Sequence, residues 1–226
     1  MKWAWIALVA MLAFLARCPA EDAAATAPVK SPVITVEFSN PALSPSQWTL
    51  TLHPDGRGHF TSEVGKGDPP ARGEMYVPNL DRDVQLSRRF ASNAFATARR
   101  HAWFNEACDS HRKVAFQGWK SLSYSGPEGS GTCRFNYSND KQIENLGDSF
   151  VAVAQTIVEG VRLEMLLEHD PLGLNQEIDN LALAARDGRA QQICAIRAIL
   201  ERLAQDDRVM ELVRKQARIL LAQAAI

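Results

Sequence analysis

The sequence predicts an α+β protein: a small antiparallel sheet with one packed amphipathic helix, followed by an all-α C-terminal helical unit. Three patterns predict it. Two alternating runs, Trp48-Thr49-Leu50-Thr51-Leu52-His53 and His59-Phe60-Thr61-Ser62-Glu63-Val64, flank the turn chemistry of Pro54-Asp55-Gly56-Arg57-Gly58. Between about Asp81 and Trp103 the apolar period lengthens to that of a helix, and from about residue 148 it stays helical to the end. Strand side chains alternate between faces while helical ones recur about every 3.6 residues, so a change of period marks a change of structure. The chain is accordingly expected to divide into a signal segment (1–20), a linker (21–33), an α+β domain (34–147) and a helical domain (148–226).

The N-terminus reads as a secretory signal. Lys2 supplies the positive start, Trp3 to Ala16 is uninterruptedly apolar, and Arg17-Cys18-Pro19-Ala20 precedes the acids Glu21 and Asp22. That apolar run is short for a bilayer span and suits a signal core. Cleavage is expected after Ala20, with Ala25 as the second choice and an uncleaved anchor as the alternative. Cys18 also admits a lipid anchor, although Arg17 occupies the position where a lipobox carries a small residue. Removing Lys2 and Arg17 takes the net charge from −1 to −3, a balance that favours neither nucleic acid nor bulk anionic lipid. No second apolar run reaches membrane-spanning length, so an exported, periplasmic or secreted protein is expected, with no transmembrane helix after cleavage.

Glu21 to Pro32 is small, polar and twice interrupted by proline, as in a flexible tether. Val33 to Phe38 is β-branched and alternating, a strand. The Asp55-Gly56 pair between two alternating runs signals a hairpin, because glycine takes the positive φ of such turns. Gly65 to Gly73 reads as an exposed loop. Val84, Phe90, Ala91, Ala94, Phe95, Ala98 and Ala102 then sit at helical spacing, with Asn79 or Asp81 as the expected N-cap. Ser121 to Ser125 and Thr132 to Tyr137 form a second alternating pair around the glycine-rich stretch 126–131. Beyond Gly147, three helical runs at 174–186, 189–204 and 207–224 follow a longer first one that ends at His169-Asp170-Pro171-Leu172-Gly173.

Chemistry is sparse in this pattern. Export implies an oxidising compartment, so Cys108 and Cys133 are expected to pair, closing a loop worth about 3.5 kcal/mol by chain entropy. Cys194, among helical aliphatics, reads as a buried thiol. Cys108-Asp109-Ser110-His111 has local zinc spacing, but no second ligand pair completes it, so no metal and no cofactor are expected. His53 and His59 flank the Asp55 turn and, with Asp55 or Glu63, offer the weak candidate for a hydrolase site. Neither Gly-x-Ser-x-Gly nor His-Glu-x-x-His occurs, and the glycines of 125–132 lead into a strand where a phosphate loop needs a helix.

Charge is more informative. Arg88-Arg89 and Arg99-Arg100 are eleven residues apart, three helical turns within about 20°, and share one stripe. Residues 80–120 hold eight basic and four acidic side chains in an otherwise negative protein. A stripe that docks an acidic protein or envelope component is the sharper reading, and a solvated helix face the plainer one.

The stretches Trp48 to Glu63 and Leu122 to Tyr137 resemble segments of uncharacterised exported proteins of acidobacterial-type soil bacteria. The resemblance covers about a third of the expected mature chain and implies export, with no assigned activity. The reading that results is a non-enzymatic exported binding or scaffolding protein. A small hydrolase using His53, Asp55 and His59, and a lipoprotein anchored through Cys18, are the alternatives.

Overall fold

The computed structural model describes residues 31–65 and 77–224. The signal segment 1–20 with Cys18, linker residues 21–30 and most of the expected 65–73 loop lie outside these residues.

Alternation produces the expected strands. Strands β1 (Val33–Ser39), β2 (Gln47–Leu52) and β3 (Arg57–Glu63) bury every second side chain. The β2–β3 turn depends on Gly56, whose φ is +86° and whose missing Cβ would sit 2.3 Å from the Leu86 carbonyl oxygen. Any larger residue there meets both backbone strain and backbone atoms.

Residues expected to open the first helix instead form a strand, β4 (Leu80–Gln85), and helix α1 (Arg88–Arg100) starts later. Leu80, Val84 and Leu86 alternate with Asp81, Asp83 and Gln85, a strand pattern disguised by three charges in a row. The N-cap is therefore Ser87, whose hydroxyl accepts from the Phe90 amide at 3.2 Å, and neither Asn79 nor Asp81 fills that role. Asn79 instead accepts from the Val64 amide at 2.8 Å.

Strands β5 (Trp119–Gly126) and β6 (Gly129–Phe135) pair down to Gly126 opposite Gly129, so the expected six-residue loop is a two-residue turn, Pro127-Glu128. The six strands form one antiparallel sheet in the order β4-β3-β2-β1-β5-β6. One face is apolar and covered: Ile34, Val36, Leu50, Leu52, Phe60, Leu122 and Phe135 are fully buried. Each such side chain contributes about 1.5–3 kcal/mol by leaving water. The other face carries Thr35, Thr49, Thr51, His59, Thr61, Ser121 and Ser123 and is only partly covered.

Helix α2 (Lys141–His169) is capped by Asp140, whose carboxylate accepts from the Gln142 and Ile143 amides, and begins seven residues before the expected helical region. It runs through both apolar clusters. Ile143, Phe150, Val153, Ile157 and Val161 pack with the sheet and α1. Leu163 and Leu166 pack with α3 (Leu174–Arg186), α4 (Arg197–Gln205) and α5 (Glu211–Gln223). The composition changes near residue 147, but the packing changes between 161 and 163, inside one continuous helix.

Two bonds fasten the far strands. Cys108 and Cys133 form a disulfide with Cα atoms 5.5 Å apart, tying the segment after α1 to β6. Lys120 of β5 points into the covered face and is 2 % exposed. Its Nζ lies 3.0 Å from Glu144 and 2.5 Å from Asp148 on α2. Such an arrangement is costly to break, because removing either acid leaves a buried charge under-compensated.

Candidate functional site

The four arginines of the stripe are all exposed on α1, opposite the buried Ala91, Ala94, Phe95 and Ala98. Their surroundings are unusual for this protein. Arg57, Arg82, Arg162, Arg189, Arg197, Arg202, Arg208, Arg214 and Arg218 all have carboxylate partners. Arg88, Arg89, Arg99 and Arg100 have none within 4.0 Å among the described residues, and neither have Arg112, Lys113 and Arg134. The acids of the same stretch are engaged elsewhere. Glu106 holds His101 at 2.8 Å, Asp109 holds His111 at 2.8 Å, Glu128 accepts from the Tyr124 hydroxyl and Asp140 caps α2.

Position within the helix sharpens the point. Arg88 and Arg89 open α1, whose first turn contains no acid. Cations there oppose the helix dipole, at a cost of about 0.3–1 kcal/mol each. Arg99 and Arg100, in the last turn, are favourably placed. The stripe is thus half unfavourable for its own helix, and of its side chains Arg100 is held by Gln142 and by Thr97, each at 3.1 Å.

The stripe ends on a strained turn. Ala102, Trp103 and Phe104 have φ of 47°, 61° and 64°, three successive left-handed residues. Each costs about 1–2 kcal/mol without compensation. Compensation is visible: Phe104 is fully buried, and Trp103 stacks on Tyr124 with ring centroids 4.5 Å apart. Gly131 lets the turn lie against β6, since a Cβ there would be 2.5 Å from the Asn105 nitrogen and 2.6 Å from the Trp103 oxygen. Arg99 lies 5.6 Å from the Trp103 ring centroid, a cation–π arrangement that extends the basic stripe onto an aromatic ring. Burial and the hydrogen bond to Glu128 push the Tyr124 hydroxyl up to about 12, and the same bond holds the Glu128 carboxyl below its ordinary value.

The hairpin histidines do not assemble as a site with Asp55. His53 closes the turn through backbone bonds to Arg57 and Gly56. Asp55 is held by Arg57, whose amide and guanidinium donate to it and keep its carboxyl below the usual range. His59 lies on the open sheet face between Asp83, 2.8 Å from Nδ1, and Asp81, 3.0 Å from Nε2. Hydrogen bonding to Asp83, opposed by burial and aided by Asp81, raises its pKa, which favours an imidazolium over a free base. Glu63 takes no part.

The disulfide removes Cys108 and Cys133 as thiolate ligands or nucleophiles. Among the described residues no group of three or more His, Cys, Asp and Glu has metal-binding geometry. Ser-x-x-Lys spacings occur at Ser110/Lys113 and Ser138/Lys141, but the two serine hydroxyls accept from the Arg112 and Asp140 amides and meet no lysine. Cys194 is a free, half-buried thiol on an open cavity of about 500 Å³ with Leu86, Ser87, Arg197 and Ala198, and burial raises its pKa, so it is a poor nucleophile.

One cluster was not expected from the sequence. Glu159 on α2, 7 % exposed, accepts from Gln155 at 2.6 Å and from the Arg162 guanidinium at 3.0 Å, and the same Arg162 nitrogen lies 3.0 Å from Glu177 on α3. Burial, then the hydrogen bond to Glu177, raises Glu159 to about 8. Glu177 moves the other way: burial would raise it, but bonds from Glu159 and Arg162 outweigh that. Burial and the neighbouring Glu177 thus favour the protonated form of Glu159, against the pull of Arg162. The signal was present: Glu159 is the only charged residue from Ser149 to Val161. No protein-family model matches the chain, and no curated protein matches it in sequence.

Proposed function

We infer that this chain is an exported, non-enzymatic binding protein that docks an acidic protein or acidic envelope component through the outer face of α1. The observation that carries the reading is the set of four exposed arginines without carboxylate partners among the described residues, where most other arginines are paired. The signal-like N-terminus, the disulfide and the resemblance to exported proteins support the compartment. Intact-mass measurement of secreted protein checks that part. A chain starting at Glu21 is expected, whereas retained Met1 or diacylglycerol on Cys18 replaces it with an anchored form.

The docking itself is tested with a fluorescein-labelled polyglutamate peptide. Changing Arg88, Arg89, Arg99 and Arg100 together to Gln is expected to weaken binding about ten-fold or more and to flatten its dependence on salt, because exposed charges act through screened attraction. Unchanged affinity and unchanged salt dependence would leave only a solvated helix face.

A further inference from the structure

The segment between the disulfide and β5 presents apolar side chains outward. His111 to Gln117 are exposed without a break. Val114 (44 %), Phe116 (51 %) and Trp119 (36 %), with Leu43 (50 %), make four of the nine exposed large apolar residues among those described. The four share one end of the sheet. Trp119 pairs with Ser39 at the last rung between β1 and β5. Asn40 donates from Nδ2 to the Gln117 carbonyl at 3.2 Å, and Leu43 rides on the turn that begins at Asn40. The Phe116 and Trp119 rings meet edge-on at 6.1 Å.

Cations surround this apolar group. Arg134 lies 4.7 Å from the Trp119 ring centroid, and Arg112 and Lys113 immediately precede Val114. The acid of the segment, Asp109, is occupied by His111 and by the Asn136 amide. On the sheet, Glu37 stands on the strand next to that of Trp119, two residues from its partner Ser39, and Glu63 stands three strands from β5. The segment is also held in place before any partner arrives. The disulfide fixes its start, and Asn136 accepts from the Gln117 amide at 2.9 Å and donates to the Ala115 carbonyl at 3.3 Å. Little ordering entropy remains to oppose docking.

We propose that this end of the sheet docks on the surface of a bilayer containing anionic phospholipid. Aromatic and aliphatic side chains beside arginine and lysine match the two layers of such a surface, acyl boundary and negative headgroups. A protein partner would be met by anchors seated in a groove, whereas these side chains project from a segment exposed along its length. Overall charge conceals the patch, since the protein as a whole is negative. The proposal is independent of α1, which begins at the opposite end of the sheet, beside the Gly56 turn.

The test is co-sedimentation with vesicles of phosphatidylcholine alone or mixed with phosphatidylglycerol, using the exported protein and variants that share its N-terminus. The unaltered protein is expected to sediment with the mixed vesicles and to be released by salt. Changing Arg112, Lys113 and Arg134 to Gln should lower partitioning by about 100-fold, roughly five-fold per cation. Phe116→Ser, at a half-exposed site, should lower it on mixed vesicles as well, with an unchanged circular dichroism spectrum, and Phe116→Ser with Trp119→Ser further. No sedimentation with mixed vesicles, equal binding to both vesicle types, or binding unaffected by these variants would overturn the proposal. So would variants that keep vesicle binding but lose capture of the polyglutamate peptide, which would make the patch a protein-docking surface.

Discussion

At the scale of single residues, Glu159 departs furthest from ordinary behaviour, and its consequences can be read by pH. Its folded pKa, about 8, lies above the value near 4.5 expected of an unfolded chain. Between these values the folded protein holds a proton that the unfolded chain has released, so stability falls as pH rises from about 4.5 to about 8 and then levels. The greatest slope is about 1.4 kcal/mol per pH unit for one proton. Glu177, with its pKa lowered, contributes stability above about 4.5 that is lost as the pH falls through its folded pKa. His59, with its pKa raised, adds stability present below about 6.5 that is lost as pH rises through its folded pKa. The expected outcome is that Glu159→Gln flattens the decline of the melting temperature between pH 5 and pH 8, and that the variant is the more stable protein at pH 8, measured by circular dichroism. An unaltered pH profile would show that Glu159 ionises normally. The sequence displayed this acid as a lone charge in an apolar helix, but not its proton. That depends on Arg162 and Glu177, the latter from another helix, arriving at 3.0 Å.

Among the elements, α1 carries arginines at both ends, and the helix dipole sets the two pairs apart. Arg88→Gln and Arg89→Gln are expected to raise stability by about 0.3–1 kcal/mol each, by relieving charge at the helix start, while Arg99→Gln and Arg100→Gln lower it by a similar amount. Urea titration of the two double variants measures both effects. The contrast is informative because each pair should weaken capture of an acidic partner, whatever it does to stability. Equal stability changes for both pairs would mean the dipole has no purchase on these side chains. The helix and its exposed stripe were legible from spacing alone, because a helix places residues eleven apart on one face. Its beginning was not. Asp81-Arg82-Asp83 is a poor strand by propensity, and it pairs with β3 because its charges find partners from distant segments. Arg82 reaches Glu164 on α2 at 3.0 Å, and Asp81 and Asp83 grip His59. The turn Ala102–Phe104 was equally hidden, since its left-handed backbone is held by Tyr124 and Gly131, more than twenty residues away.

For the whole molecule, the decisive feature is that α2 serves two cores. A fragment ending at residue 147 loses Phe150, Val153, Ile157 and Val161, which cover the sheet. Such a fragment (31–147) is expected to show no cooperative urea transition and no near-UV dichroism, despite containing all six strands and α1. A cooperative transition in the fragment would show that the sheet folds without the helical unit. The sequence by itself determined the α+β class, the first hairpin, the exposed arginine stripe and the pairing of Cys108 with Cys133. Each of these follows from local period, turn chemistry or the small set of cysteines. Only the tertiary structure decided which of the described arginines stand without acids, that Glu159 is pushed toward its protonated form, that His59 joins Asp81 and Asp83, and that Trp119 stands exposed beside Arg134. These depend on distances of a few ångströms between residues far apart in the chain. Coulombic and desolvation energies vary steeply over such distances, and periodicity carries no information about them.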